Sequence, residues 1–152
     1  MKDLFPVLLS LTLSAPVLAD QMIPDPESWY RDSYAVIWAD APWEQPEALM
    51  AHSADQVVIH SVDGGIDVVG NDWLLQPLQG WRDEGWLNSE LSAIEVDRLN
   101  DTLATFKVRW QDNNVGDDIE FSCSWYQADF LDGAWKLTGY ADIDCDTHGL
   151  VP

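Results

Sequence analysis

Basic residues are scarce in this chain. Seven lysines and arginines stand against 27 aspartates and glutamates, which gives a formal net charge of −20 over 152 residues. The acidic residues are spread along the whole chain rather than gathered in a tail. Nucleic acids and anionic lipids attract proteins through basic patches, so the composition argues against both as partners. The simplest interpretation of the charge is a hydrated acidic surface that keeps the protein in solution.

Cysteine is nearly absent, and the sequence lacks the ligand spacings of metal and cofactor sites. There is no His-x-His, no paired-cysteine spacing, no glycine-rich phosphate loop and no Gly-x-Ser-x-Gly. The acidic stretch 111–118 lacks the alternating ligand order of an EF-hand loop. We therefore predict no metal and no cofactor. Cys123 and Cys145 either form a disulfide, which export would permit, or remain two buried thiols.

Long hydrophobic runs are also lacking, apart from the segment that extends from Leu4 to Leu18. Lys2 precedes this run, and Val17-Leu18-Ala19 ends it in the small-x-small pattern of a signal-peptidase site. The run is too short for a comfortable membrane span. We predict a signal peptide over residues 1–19, cleaved before Asp20, and a periplasmic or secreted protein that does not bind membranes after cleavage. A retained anchor is the alternative.

The feature that organises the rest of the chain is a meander of three antiparallel strands between residues 103 and 143. Large apolar residues alternate with polar ones in each segment, which is typical of half-buried strands. A register that places position 108 opposite 121 gathers the apolar side chains on one face. That predicted face contains Phe106, Val108, Trp110, Ile119, Phe121, Cys123, Trp125, Trp135 and Leu137.

The last hairpin of the meander can turn in two ways. A three-residue loop at Leu131-Asp132-Gly133 pairs position 125 with 139 and keeps Trp135 and Leu137 on the apolar face. A two-residue Asp-Gly turn would instead direct Tyr140 and Asp142 inward. We predict the three-residue loop because it buries the larger apolar side chains.

The N-terminal half of the sequence contains the helices that we expect to cover this face. Asp25-Pro26-Glu27 is a helix start, and the helix should continue to about Ala39. A short helix at 46–51, a hairpin at 56–69, a helix after Asn71 that ends at Gly85, and a strand at 91–99 should follow. An aromatic stripe on the first helix should lie across the sheet; it consists of Tyr30, Tyr34, Ile37 and Trp38. This order of elements predicts an α+β fold with helices on one face of a curved sheet.

Three stretches carry a resemblance to a known family. They are Asp55-Gln56-Val57-Val58-Ile59-His60, Ser124-Trp125-Tyr126, and Asp132-Gly133-Ala134-Trp135-Lys136-Leu137, with Gly70 before a helix. They resemble the SnoaL-like branch of the nuclear transport factor 2-like superfamily, which also holds ketosteroid isomerases and scytalone dehydratase.

The resemblance implies a cystatin-like cone in which a curved antiparallel sheet wraps the N-terminal helices and leaves a pocket at the open end. It covers a predicted domain at 26–146, with tails at 20–25 and 147–152. It also implies that the convex face can form a homodimer.

Family enzymes direct a few ionisable groups into the cone, where burial shifts their pKa values. His60 is the best candidate base and Tyr34 its hydroxyl partner; the alternatives are a hydrogen-bonded strand histidine and a packing tyrosine. In the preferred register Asp142 faces outward, so only Tyr34 would match a ketosteroid-isomerase-like site. The predicted ligand-binding residues are Tyr34, Trp38, His60, Trp81, Trp110 and Trp125.

Three functions remain open on this evidence. The first is the binding of a small hydrophobic or aromatic molecule in a cone lined by tryptophan, of which the chain has nine. The second is an isomerase, lyase or hydrolase that uses His60 and Tyr34. The third is a non-catalytic dimerisation module whose cavity is filled by its own side chains.

Overall fold

The computed structural model describes residues 22–150, so the predicted signal peptide lies outside the described residues. Helix α1 spans residues 26–39. The other elements are α2 (Pro46–Ala51), α3 (Leu75–Asp83), β1 (Ser53–His60), β2 (Ile66–Gly70), β3 (Trp86–Asn100), β4 (Leu103–Asn114), β5 (Ile119–Leu131) and β6 (Ala134–Asp142), with a 3₁₀ turn at Pro42–Glu44.

Helix α1 begins and ends where the sequence predicts. The Asp25 carboxylate accepts a hydrogen bond of 2.9 Å from the backbone N–H of Ser28, and Pro26 occupies the first helical position. The helix consists of α-helical segments at Pro26–Trp29 and Ala35–Ala39, separated by a π-helical segment at Tyr30–Tyr34. The side chains of Tyr30 and Tyr34 are fully buried, so this segment faces the sheet.

The six strands form one sheet in the order β2-β1-β6-β5-β4-β3. Neighbouring strands are antiparallel except β1 and β6, which run parallel and join the N-terminal hairpin to the meander. Helix α1 lies across one face, which we call the inner face. The predicted α+β arrangement, a curved sheet around the N-terminal helices, is confirmed.

The core is aromatic and lies between α1 and the inner face of β4 to β6. The Tyr30 ring stacks on Phe106 with ring centroids 4.8 Å apart, and Trp38 packs against Trp110 at 5.9 Å. Burial of a large apolar side chain stabilises a fold by about 1.5–3 kcal/mol. The aromatic stripe of α1 therefore covers the inner face of the sheet, as the sequence predicts.

The predicted parity of β5 is wrong. Phe106 pairs with Tyr126 and Val108 pairs with Ser124, so the even positions of β5 share the inner face with the even positions of β4. Ile119, Phe121, Cys123 and Trp125 consequently lie on the outer face. The turn that precedes β5 leaves Asn113 paired with Ile119, and this pairing sets the register of the whole strand.

The outer face offers these residues partners of their own. Phe121 lies under the Arg109 guanidinium, whose carbon is 4.3 Å from the ring centroid. Cys123 forms a disulfide with Cys145, and the backbone N–H of Ile143 donates to the Cys123 carbonyl at 3.0 Å. The chain after β6 thus folds back onto the outer face, and the disulfide alternative is the one observed.

The last hairpin uses the two-residue turn rather than the predicted three-residue loop. Leu131 pairs with Ala134, and both Asp132 and Gly133 have positive φ angles, 51° and 84°. Such turns match the right-handed twist of the flanking strands. A shift of register then follows: Ala128 pairs with Leu137, but Gln127 pairs with Gly139.

This shift is a β-bulge, and it reverses the parity of β6 partway along the strand. Trp135 and Leu137 face inward before the bulge and are buried. Tyr140 and Asp142 face inward after it, since they pair with Tyr126 and Ser124. The first part of β6 therefore has the side-chain orientation expected for the three-residue loop, and the second part has the orientation expected for the two-residue turn.

Candidate functional site

An open cavity of 590 Å³ lies between α1, α3 and the inner face of β3 to β6. The bulge in β6 and the parity of β5 determine what lines it. Two groups of side chains do so. The aromatic group consists of Trp38, Trp81, Trp86, Trp110, Tyr126 and Tyr140, and the polar group consists of Glu84, Ser89, Asp112, Asn114, Asp118, Glu120, Ser122, Ser124 and Asp142, with Leu74, Gly85 and Val115 completing the wall.

The tryptophans of the aromatic group contact one another. The Trp86 ring lies 6.0 Å from Trp38 and 5.8 Å from Trp81, both in edge-to-face geometry. Such contacts between aromatic rings contribute beyond the area that they bury. The tryptophans therefore form a preformed, rigid wall against which a flat or apolar ligand can pack.

Asp112 is the polar centre of the cavity. One of its carboxylate oxygens accepts a hydrogen bond of 2.6 Å from the Ser122 hydroxyl, and the other accepts one from the Ser89 hydroxyl. The indole N–H of Trp86 in turn donates to the Ser89 oxygen at 3.0 Å. The hydroxyls of Ser89 on β3 and Ser122 on β5 thus fix the orientation of this half-buried carboxylate on β4.

Tyr140 and Asp142 form a second polar pair in the cavity. The Tyr140 hydroxyl donates to a carboxylate oxygen of Asp142, and its ring lies 5.2 Å from that of Tyr126. Burial, followed by the nearby Tyr126 and the negative charge of Asp142, raises the pKa of Tyr140 well above its ordinary value. Burial also raises the pKa of Tyr126 to about 12. Both hydroxyls therefore remain protonated at neutral pH.

Tyr34 belongs to the core behind the cavity. Its ring packs edge-on against Tyr126 at 5.8 Å, and its side chain is fully buried. Its hydroxyl and that of Tyr30 have no hydrogen-bond partner among the described residues. Burial raises the pKa values of both. Tyr34 is not among the residues that line the cavity.

The other predicted site residues divide between the two faces of the sheet. Trp38, Trp81 and Trp110 line the cavity. His60 is exposed and pairs with Ala141, and its ring meets the Trp125 ring at 6.3 Å on the outer face. The side chains at odd positions of β5 point away from α1. Trp125 is one of them, and His60 lies beside it because both residues pair with Ala141, so the sheet separates both side chains from the cavity.

The polar lining of the cavity does not follow from the predicted register. That register turns Phe121, Cys123 and Trp125 inward, so Ser122, Ser124 and Tyr126 would lie on the opposite face of β5, and Asp112 would belong to the acidic stretch 111–118 between the strands. One signal was available: three hydroxyl-bearing residues alternate at 122, 124 and 126. Period-two hydroxyls on a long strand are compatible with a hydrated cavity as well as with a solvated outer face.

Two kinds of feature are absent from the described part of the chain. Between residues 22 and 150, no helix has both the length and the apolar character needed to cross a membrane. Within the same residues, no three His, Cys, Asp or Glu side chains come together as a set that could hold a metal ion.

Comparison with known proteins identifies the fold through structure alone. No family model and no curated protein sequence matches the chain. An NTF2-like protein with a cystatin-like fold from Novosphingobium aromaticivorans superposes with a TM-score of 0.61 at 13% identity, covering 83% of this chain and 88% of its own.

Two further solved structures show the same similarity. A domain of unknown function with a cystatin-like fold from Nostoc punctiforme gives a TM-score of 0.59 at 17% identity, with 81% of each chain covered. A candidate polyketide cyclase from Xanthomonas campestris pv. campestris gives 0.54 at 15% identity, covering 77% of this chain and 89% of its own. At these identities the similarity shows the fold, and a fold of this kind hosts unrelated functions.

Proposed function

We propose that this protein, which has the cystatin-like fold of nuclear transport factor 2-like proteins, binds a small molecule with an aromatic or hydrophobic body in the cavity between α1 and the sheet. The observation that carries the proposal is the cavity itself. It has a volume of 590 Å³ and is lined by four tryptophans and two tyrosines. Small-molecule sites are concave and combine an apolar wall with oriented polar groups. In this cavity the polar and charged residues make up half of the lining.

The open volume also weighs against the interaction-module alternative. A module of that type would fill the cone with its own side chains. Here the tryptophans leave an open volume of 590 Å³, and hydroxyls and carboxylates line the same space. Polar groups such as Asp112, turned toward an interior volume and fixed by neighbours, support a site that recognises a ligand.

A titration of tryptophan fluorescence with a panel of aromatic metabolites tests the proposal. At least one compound should quench the emission saturably and raise the melting temperature. Ser122→Trp would fill the cavity from the inner face of β5 and should abolish the rise. Ser92→Trp, an exposed position on β3 outside the lining, is the matched control and should leave it unchanged. A folded protein that responds to no compound would refute a ligand site.

A second candidate function is proton transfer, supported by the inward direction of Asp112 and Asp142. An enzyme of the isomerase or lyase type would use these carboxylates with the Tyr140 hydroxyl, which already donates to Asp142. His60 and Tyr34 do not line this cavity, so they would not contact a substrate bound there. This function would be favoured if the protein turns over a compound that it binds, and if Asp142→Asn abolishes this turnover without loss of binding.

We also propose that the protein is exported. The predicted signal peptide and the Cys123–Cys145 disulfide support this, because disulfides persist in oxidising compartments. Fractionation of cells that express the full chain should place it in the periplasm or medium; recovery of reduced protein from the cytoplasm would contradict export. The homodimer implied by the family resemblance stays a prediction, which the molecular mass in solution tests.

A further inference from the structure

The carboxylates of the cavity have no cationic partner among residues 22–150. Asp112 lies within the cavity, and four more carboxylates line the same space, namely Glu84, Asp118, Glu120 and Asp142. Of the described residues, no lysine, arginine or histidine belongs to the lining. Of the five, only Asp112 is partly buried, and Glu84, Asp118, Glu120 and Asp142 are exposed to water. The charge of Asp112 is therefore the one for which a cationic partner matters most, because a partly buried charge is costly unless it is paired.

The few cations of the described chain are engaged elsewhere. Each makes its contact with a carboxylate, a carbonyl or an aromatic ring away from the cavity lining. The contacts are Arg31 with Glu27, Arg98 with Asp101, Lys107 with Glu95, Lys136 with the Ala51 carbonyl, Arg109 with Phe121 and the Leu150 carbonyl, and Arg82 with Trp43. None of them lines the cavity beside Asp112, so a bound cation would meet this carboxylate without competition from a lysine or arginine of the described residues.

The aromatic group independently suits a positive ligand. Trp86 and Trp110 belong to the wall beside Asp112, and their rings carry negative charge on their faces. A ligand cation within about 6 Å of a tryptophan ring is attracted by that charge, more strongly when water is excluded. The cavity thus combines tryptophan rings and a carboxylate, the two features that stabilise an organic ammonium group.

The carboxylate of Asp112 also has free acceptor capacity. A carboxylate can accept about four hydrogen bonds. Asp112 accepts one from Ser122 and one from Ser89 among the described residues. The remaining lone pairs can accept from a ligand N–H without breaking either bond, and the two serines hold the carboxylate still while it does so.

From these observations we infer that the ligand of the cavity is an organic cation, an amine or related ammonium compound whose apolar body packs on Trp86 and Trp110 while its charge faces Asp112. The inference rests on the proposed function, since it names the class of molecule that the same cavity takes. The carboxylates at the opening attract such a molecule and repel organic anions of the same shape.

Three probes of one shape and different charge test the inference by calorimetry on the folded mature protein. They are 1-naphthylmethylammonium, 1-naphthalenemethanol and 1-naphthoate. We expect the ammonium compound to bind about tenfold more tightly than the alcohol, because it gains both the carboxylate and the ring faces. The naphthoate should bind most weakly. Equal or tighter binding of the alcohol or naphthoate would overturn the inference and keep the proposed function.

Isosteric variants locate the effect. Asp112→Asn removes the charge and keeps the shape of the side chain. It should therefore weaken the binding of the ammonium compound about fivefold and change the affinity for the alcohol less than twofold. Asp67→Asn on the exposed strand β2 makes the same change of net charge far from the lining and serves as the control. An equal loss in both variants would indicate a general surface effect and contradict the assignment to Asp112. If none of the three probes binds while a neutral or anionic compound of the aromatic panel does, the inference fails and the proposed function stands; if no compound of the panel binds either, both fail.

Discussion

Two of the four tyrosines lie in the buried core and two line the cavity, and this makes alkaline pH a probe of the fold. They are Tyr30, Tyr34, Tyr126 and Tyr140, and burial is the main cause that raises the pKa of each. A tyrosine in an unfolded chain has a pKa near 10. Because the folded pKa is higher, the native state retains protons that the unfolded state releases, and stability falls as the pH rises above about 10.

The magnitude follows from the number of hydroxyls. At about pH 11, each buried tyrosine that stays protonated in the folded state costs about 1.4 kcal/mol of stability. Tyr30, Tyr34 and Tyr126 are 0%, 0% and 3% exposed, so the three together cost about 4 kcal/mol at that pH. A domain of this size has a total stability of about 5–15 kcal/mol, so a large share is lost.

The assay follows phenolate absorbance and circular dichroism during the same alkaline titration. Phenolate should appear only as the protein unfolds, in one coincident transition, because no tyrosine lies on the open surface to titrate independently. Tyr34→Phe is the informative variant. Its hydroxyl has no hydrogen-bond partner in the described structure, so its removal should leave stability at neutral pH unchanged or higher. The same variant should recover about 1.4 kcal/mol at about pH 11.

Phenolate absorbance that rises near pH 10 while the circular dichroism is unchanged would refute this reasoning. It would mean that the hydroxyls of these tyrosines reach solvent in the folded state. The predicted burial of α1 against the sheet would then be incorrect, and with it the shape of the cavity.

Two further perturbations test other parts of the structure. Cys123 and Cys145 are 22 residues apart, so Cys123→Ser together with Cys145→Ser should lower the free energy of unfolding by about 3 kcal/mol, measured by chemical denaturation; an unchanged value would contradict the bond. Gly139→Ala should destabilise by about 1–3 kcal/mol, since its Cβ would lie 3.2 Å from Gln127 and 3.3 Å from the Trp125 ring. Gly80→Ala on α3, where a Cβ meets nothing within 4 Å, is the control and should stabilise by up to about 1 kcal/mol; equal effects would contradict the crowding at the bulge.

Local signals in the sequence predicted the parts of the fold that are locally determined. The start of α1 follows from Asp25 and Pro26, whose side chains act within one turn. The alternation of β4 is confirmed, because Phe106, Val108 and Trp110 all pack on α1. The overall fold was predicted from the same alternation together with the family resemblance.

The candidate site could be predicted only in part, and the reason lies in β5. Period-two alternation tells which side chains share a face, but not which face is the core. Phe121 and Trp125 are the larger residues, so burial alone would direct them inward. In the structure the inner face at this point borders a cavity, where Ser122 and Ser124 are suitable, and Phe121 instead packs on Arg109. The turn between β4 and β5, which pairs Asn113 with Ile119, decided the parity.

The bulge in β6 then explains how one sheet holds a dry core and a polar cavity side by side. Before the bulge, Trp135 and Leu137 face the aromatic residues of α1 and exclude water. After it, the same strand directs Tyr140 and Asp142 inward, next to Ser124 on β5. Without the extra residue, continuing the parity of Leu137 would bring Gly139 and Ala141 inward, and neither carries a polar side chain. The register shift is therefore the feature that converts the open end of an apolar sheet into a site with charge.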